Sequence, residues 1–358
     1  MTEKIMLAEN SFFHGKPSSS GLLRSKESDF KVYEQLPFSP IGEGEHLFIH
    51  IRKTGANTVF VARELAKYFK VKEALVSYAG LKDRFAVTEQ WFGVHVPGKQ
   101  AFELSDLAIE GVEVLSYKRH NKKLRIGVLT GNRFELILRD VTDLKALNER
   151  WHNIVKQGVP NYFGEQRFGI DGGNIERALA LFNGSKIKDK KKRGMYLSAA
   201  RSQIFNAVVD ERISRGLFDI IENGDVLMLS GTQSVFHQEQ VDESVQQRLV
   251  EQDIDITAPM WGAGQLMTTD KAQAIEQQVA EQYPDFVQGL PRFGLKQERR
   301  RIRLTIQEAD IEIINNLENA ELPIVKVSFI LPAGSYATTV LRELIQYKDC
   351  GQRVVKAS

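Results

Sequence analysis

A carboxylate flanked by two cations, Lys82-Asp83-Arg84, follows Gly80 and Leu81 where the chain passes from one apolar stretch, Val76 to Ala79, into a longer one, Thr88 to Val96. A tight connection between strands favours Asn, Gly or Pro, so three consecutive charges at this junction point to chemistry more than to turn-making. A solvated loop tip could carry the same charges. Here, however, Tyr78, Phe85, Trp91 and Phe92 surround the triplet in sequence. An Asp held beside cations in apolar surroundings is a candidate nucleophile or acid/base group. Carboxylates are already anions at neutral pH, so such a nucleophile needs no His to activate it.

Other chemistries lack their residues. The chain has one cysteine, Cys350, which rules out an intrachain disulfide and a Cys-based metal site. The seven histidines are scattered, with neither HExxH nor His-x-Glu spacing, so zinc-dependent deamination of a base has no ligands. Neither a Gly-x-Gly-x-x-Gly turn after a strand nor a phosphate-binding Gly-x-x-x-x-Gly-Lys loop occurs, which argues against dinucleotide enzymes and NTPases. No cofactor is expected. Glu89 lies close to Asp83 in the chain and would make a glycosidase-like carboxylate pair, but strand alternation gives no reason for it to face Asp83.

The net charge of +2 does not by itself mark a nucleic-acid binder. Three basic runs stand out: Lys118 to Arg125, Lys186 to Arg193 and Arg299 to Arg303. Together they point to a polyanion, each run being a candidate face for phosphates beside the plainer reading of a solvated surface. The run Asn161 to Gly169 mixes aromatics, Arg and Gly, and reads either as a structural loop or as a surface on which bases stack. The composition, 42% hydrophobic and 26% charged, is that of a globular protein. With no apolar run long enough for a bilayer and no signal-peptide pattern at Met1-Thr2-Glu3-Lys4, a cytoplasmic location without membrane contact is expected.

The elements that would position Asp83 follow from periodicity. Phe30 and Val32 alternate with polar residues, and His46 to Arg52 forms a second strand. Asn57-Thr58 offers an N-cap to a helix over Val59 to Phe69, with Val61, Leu65 and Phe69 on its core face. Strands are expected at 112–117, 124–129 and 133–139, the last two joined by a hairpin turn at Thr130-Gly131-Asn132. A helix over 142–157, capped by Thr142, is stopped by Gly158 and Pro160. Beyond it the pattern is mainly helical over 174–216, mixed over 222–300 with a helix at Asp270 to Tyr283, and returns to strands at 301–306 and 324–331, read as rejoining the first sheet. A turn, Pro332 to Thr338, then leads into a helix with Val340, Leu341, Leu344 and Ile345 on one face. At 358 residues two domains are expected. The fold class is α+β: a mixed, largely antiparallel sheet flanked by helices, with a second α/β domain inserted. The boundaries fall at residues 1–157, 158–304 and 305–358. Without an unassigned apolar helix face or heptad pattern, a monomer with no obligatory protein partner is expected.

In Asp29 to Glu34, Gly80 to Trp91, Gly131 to Phe134, Pro160 to Gly169, Leu197 to Ser202 and Leu331 to Thr338, the chain resembles the D family of tRNA pseudouridine synthases. These segments occur in order, and the resemblance runs from about His14-Gly15-Lys16-Pro17 to about residue 347. It implies a V-shaped protein whose catalytic sheet is assembled from the two ends of the chain, with a family-specific domain between them and RNA in the cleft. It also implies that the chain isomerises uridine 13 of tRNA to pseudouridine, with Asp83 as nucleophile acting on a flipped-out base. By alignment Arg24 supplies the cation for Asp83. The family commonly carries Lys there, and Lys82 or Arg84 are the substitutes. Phe134 would stack on the uracil, Asn132 would hydrogen-bond the base or the backbone, and Phe30 and Tyr336 would wall the pocket, Tyr336 standing where the family often has Phe. The rival readings are a non-catalytic tRNA-binding or RNA-chaperone protein on the same fold, a glycoside hydrolase and an interaction scaffold.

Overall fold

A computed structural model of the chain describes residues 9–98, 100–314 and 322–351. In chain order the elements begin β1 (Ser20–Leu23), β2 (Phe30–Gln35), β3 (His46–Thr54), α1 (Thr58–Tyr68), β4 (Val76–Tyr78), β5 (Val87–His95), β6 (Val112–His120), β7 (Gly131–Arg139) and α2 (Leu144–Gln157). There follow β8 (Val159–Pro160), α3 (Gly173–Phe182), α4 (Lys190–Ser214), β9 (Asp225–Leu229), β10 (Val235–Gln238), α5 (Glu243–Val250), β11 (Ile254–Met260), α6 (Asp270–Ala280), α7 (Pro284–Arg292), β12 (Glu298–Arg301) and β13 (Arg303–Leu304). The last elements are β14 (Gln307–Ile314), β15 (Ile324–Pro332), α8 (Ala337–Leu344) and β16 (Gln346–Asp349). They fall into two compact units. One holds residues 17–156, 306–337 and those from 344 on; the other holds 157–305, with 9–16 and 338–343.

The first unit is built on a sheet in the order β14-β15-β7-β2-β5-β3-β6, with β1 beside β7, β16 beside β1 and β4 beside β5. β2 runs parallel to β5 and β1 parallel to β16, while the other pairs are antiparallel, so the sheet is mixed and largely antiparallel as the α+β reading expects. Registers place Phe30, Val32 and Glu34 of β2 on one face with Thr88, Gln90 and Phe92 of β5, Ile49, Ile51 and Lys53 of β3, Asn132, Phe134 and Leu136 of β7, and Phe329 and Leu331 of β15. α1 covers part of this face. Asn57 Oδ1 caps its start by accepting from Val59 N at 2.8 Å. Val61 and Leu65, fully buried, pack into a cluster with Ile49, Ile51 and Phe92. Each such side chain contributes roughly 1.5–3 kcal/mol by leaving water. Trp151 of α2 lies against Phe329 on the same face, 6.2 Å between ring centres. The other face is mixed: Arg52 binds Glu89 and Glu113 and Tyr33 donates to Glu135, while Phe48 packs with Ala79, Leu124 and Trp91 in a smaller apolar cluster.

The expected strand over 124–129 is absent. Leu124 turns inward against Phe48, Gly127 takes a positive φ of 81° and donates to the Ala79 carbonyl, and Ile126 is left exposed. Thr130-Gly131-Asn132 is accordingly no hairpin turn. Gly131 opens β7 directly against β15, so close that an added Cβ would stand 2.3 Å from the Leu331 carbonyl oxygen. The N-cap expected of Thr142 also differs: its hydroxyl accepts from Ser20 N, and Asp143 caps the helix by accepting from Ala146 N. Nor does the stretch 301–306 rejoin the first sheet. β12 pairs with β11 and β13 with β8, and β14, not read from sequence, lies beside β15 instead.

The second unit carries an antiparallel sheet, β10-β9-β11-β12, against which α4 packs. Its core includes Leu197, Ala200, Ile204, Phe205 and Val208. α4 starts at Lys190, capped by Asp189, which accepts from Lys191 N and Lys192 N. In place of one helix over 270–283, α6 ends at Ala280 and α7 begins afresh at Pro284, the residue type suited to a first helical turn.

Candidate active site

Asp83 sits in the connection from β4 to β5. β2 covers Val87 to Glu89 of β5 and β4 covers Phe92 to Val94 on the same side, leaving a gap in the pairing between them. A side chain fills the gap: Glu34 Oε1 accepts from the otherwise unmatched Trp91 N at 3.1 Å. Lys82 backs that carboxylate, its Nζ lying 3.1 Å from Glu34 Oε2 and donating to Asn132 Oδ1 at 2.7 Å. Burial pushes the Glu34 carboxyl up from its ordinary value, while the Lys82 charge and the Trp91 N–H pull it back.

The loop is pinned at each charged residue. Lys82 N donates to the Thr58 hydroxyl, which in turn donates to Gln90. The Asp83 carbonyl accepts from Lys53 Nζ at 2.8 Å, and the same ammonium donates to the Ala56 carbonyl at 2.9 Å. Lys53 is fully buried, and burial pushes its ammonium down to about 8 while the negative charge of Asp83 opposes the shift. Arg84 turns away and donates to the Gly55 carbonyl at 2.9 Å. The Asp83 side chain itself remains 40% exposed. Its backbone is held and its carboxylate stays accessible.

The cation nearest that carboxylate comes from the end of β1, which pairs with β7 and β16 and not with β5. Arg24 Nη1 lies 3.8 Å from Asp83 Oδ2. Arg24 follows β1 with a positive φ of 57° and is only 8% exposed. Its guanidinium is forked onto Asp349, Nε donating to Oδ1 at 3.0 Å and Nη2 to Oδ2. Burial pulls the Arg24 pKa down, but the bonds and charge of Asp349 and the charge of Asp83 outweigh this and leave it above its ordinary value. Parallel pairing of β1 with β16, Leu23 opposite Asp349, makes the fork possible.

Aromatic rings carry the arrangement across the face. Phe329 stacks at a tilt on Phe134, 5.6 Å between centres, and Phe134 meets Phe30 edge-on at 6.3 Å. Arg24 lies over Phe30, its Cζ 5.0 Å from the ring centre. The structure therefore brings Asp83, Arg24, Phe30, Lys82, Asn132 and Phe134 onto one face. Phe30 is spent under the guanidinium, and Phe134 is 7% exposed. Tyr336 lies in the turn between β15 and α8, four residues beyond Pro332, which pairs with Gly131 next to Asn132. Glu89 points to the opposite face, bound to Arg52 at 2.8 Å, as strand alternation requires.

Sequence reasoning missed Asp349, Lys53 and the structural role of Glu34. Asp349 is 325 residues from Arg24 in the chain, and nothing local marks it. Lys53 carried a signal, as a Lys on the apolar face of a strand that continues Leu47, Ile49 and Ile51.

The basic runs divide. Lys118, Lys122, Lys123 and Arg125 are exposed, whereas Arg119 of the same run clips the carbonyls of Gly44, Val96 and Gln100. Lys186, Lys188, Lys190, Lys191 and Lys192 are exposed around the start of α4. The third run is structural. Arg299 is bound to Glu276 at 2.8 Å and to Thr257, Arg301 to Asp255, and Arg303 is buried over Phe218. These arginines neutralise carboxylates and carbonyls of their own unit. The third run is thereby removed from the candidate phosphate faces, and the exposed cations belong to the first two. The aromatics of Asn161 to Gly169 are also structural: Tyr162, Phe163 and Phe168 are buried, and Asn206 bonds both the N–H and the carbonyl of Phe163.

Comparison with known proteins extends over nearly the whole chain. The model of the tRNA pseudouridine synthase D (TruD) family matches residues 7–179 and 171–344. The tRNA pseudouridine synthase D of Colwellia psychrerythraea is 70% identical over 354 residues, covering 98% of this chain and 96% of the relative. That of Aeromonas hydrophila is 46% identical over 344 residues, covering 96% of each. The crystal structure of a TruD candidate from Methanosarcina mazei superposes with a TM-score of 0.73 at 21% identity, covering 94% of this chain and 96% of that one, and so shares its fold. Matched by the family model at both ends, and at high identity along its length, the chain belongs to the tRNA pseudouridine synthase D (TruD) family.

Proposed function

We propose that this chain converts a uridine of tRNA, that at position 13, into pseudouridine with Asp83 as the attacking carboxylate. The observation that carries the reading is the accessible Asp83 carboxylate, 3.8 Å from a buried guanidinium on the sheet face that also holds Asn132 and Phe134. The isomerisation breaks the bond from C1′ to N1, turns the uracil and joins C1′ to C5. C5 loses a proton and N1 gains one, so no oxidant, ATP or metal is consumed. Asp83 suits this task because a carboxylate needs no partner base to attack and its loop is pinned through Lys53 and Thr58. Arg24 orients it. The target uridine must leave its stack to reach the carboxylate, at a cost of a few kcal/mol. Phe134, 7% exposed in its place between Phe30 and Phe329, with Tyr336 as pocket wall, and phosphate contacts from the exposed lysines of the first two basic runs offset that cost.

In this reading residues 158–304 form the family-specific domain inserted into the catalytic one, and the protein works in the cytoplasm as a monomer without a cofactor or obligatory protein partner. Among the described residues no helix is long and apolar enough to cross a membrane. The test is release of tritium from tRNA labelled at uridine C5, which pseudouridine formation must exchange and mere binding need not. Folded wild-type protein is expected to release it and Asp83→Asn to release none. No release by the wild type from any tRNA pool would sink the enzyme reading, and full release by Asp83→Asn would sink the role of Asp83 alone.

A further inference from the structure

The Asn132 amide is oriented from within the protein. Lys82 Nζ stands 2.7 Å from Asn132 Oδ1 and 3.1 Å from Glu34 Oε2. An ammonium only donates, so the atom facing it must be the amide oxygen. Lys82 is not free to swing away. Its side chain is 6% exposed and that of Glu34 0%, and leaving would strand a buried carboxylate. Glu34 stands directly opposite Asn132 across β2 and β7, which fixes the three groups on neighbouring positions of one face. What remains of the amide is its NH2, and among the described residues Asn132 Nδ2 has no hydrogen-bond partner.

We propose that Lys82 and Glu34 are positioning residues that make Asn132 present only donors to the base, so that the site reads the carbonyl at C4 of the pyrimidine and selects uridine over cytidine. Uracil carries an acceptor at C4, where cytosine carries an amino group that only donates. Two donors facing each other leave both unpaired, and a buried polar group without a partner is rejected far more strongly than a missing apolar contact. An amide free to flip would accept from cytosine instead. The discrimination therefore depends on Lys82 holding the oxygen, and the ion pair with Glu34 holds Lys82.

The inference rests on the uridine isomerase reading but is tested by binding, independently of turnover. Full-length Asp83→Asn protein is titrated with a tRNA carrying uridine at the target position and with the same tRNA carrying cytidine there. Uridine is expected to bind about tenfold or more tighter. Adding Lys82→Met should bring the ratio close to one, mainly by improved binding of the cytidine form. Adding Asn132→Asp, which offers acceptors only, should lower it further. Should Lys82→Met fail to fold, Glu34→Gln with Lys82→Met removes both charges together and carries the same expectation. A ratio near one in the Asp83→Asn protein, an unchanged ratio after loss of Lys82, or equal weakening of both tRNAs by Asn132→Asp would each overturn the proposal. Tritium release by the wild type decides the isomerase reading separately.

Discussion

Replacing Arg24 with Met tests the chain of groups behind Asp83 most directly. Methionine keeps much of the length and apolar bulk over Phe30 but removes the charge that two carboxylates share. For stability, the loss strands Asp349, whose side chain is 9% exposed. Breaking a buried pair by removing one partner costs about 3–5 kcal/mol, and the Gly351 N–H bond to Asp349 offsets only part of that. For function, two unit charges 3.8 Å apart interact by about 1 kcal/mol at the dielectric of water and about 4 kcal/mol at an effective value of 20. Two-fifths of the Asp83 side chain meets solvent, so screening favours the lower part of that range, about 1–2 kcal/mol, or roughly five- to thirtyfold in turnover. Tritium release under single-turnover conditions reads the second effect and urea unfolding the first. Arg24→Lys should recover much of the turnover but less of the stability, because one ammonium cannot fork onto Asp349 while also facing Asp83. Wild-type turnover and stability in Arg24→Met would refute the idea that this guanidinium organises both carboxylates.

Three other outcomes follow from the same structure. Lys53, fully buried with its ammonium lowered to about 8, binds fewer protons folded than unfolded between pH 8 and roughly 10.5. Wild-type stability should therefore rise with pH across that window relative to Lys53→Met, by on the order of 3 kcal/mol, and parallel urea-unfolding curves for the two proteins would remove the buried ammonium from the account. Arg299→Gln should destabilise the fold by about 3–5 kcal/mol by leaving Glu276 buried and unpaired. Charge removal at Lys188, Lys190, Lys191 and Lys192 should instead leave the unfolding midpoint near wild type and flatten the salt dependence of tRNA binding. The reverse pattern in unfolding and salt titrations would contradict the division of the basic runs.

Local order was legible where one physical signal dominated. The alternation in β7, the cap and apolar stripe of α1 and the apolar run of β15 each follow from residue types a few positions apart. The mixed, largely antiparallel sheet with helices could be assembled from them. Where signals competed the sequence misled. Residues 124–129 have strand-like composition but are turned at Gly127, whose positive φ ends an extended run, and Gly131 looks like a turn residue although β15 requires it for close approach. The four arginines near 299–303 look like one basic surface in a linear reading. Carboxylates take Arg299 and Arg301 instead, and the rings of Phe163 and Phe218 take Arg300 and Arg303.

At Lys82-Asp83-Arg84 the residue types by themselves pointed to a candidate carboxylate needing no base, and ordered motifs pointed to the family. Residue types alone could not determine which cation serves which anion; the family alignment pointed to Arg24 but left Lys82 and Arg84 as substitutes. Charges adjacent in sequence point in different directions once the loop is pinned, so Lys82 goes to Glu34 and Asn132, and Arg84 goes to the Gly55 carbonyl. Asp83 is left facing Arg24, which Asp349 holds from near the other end of the chain. That partnership depends on β1 lying between β7 and β16. Only the tertiary structure decides it, because Coulomb energy follows distance in space, and strand pairing sets that distance without regard to separation along the chain.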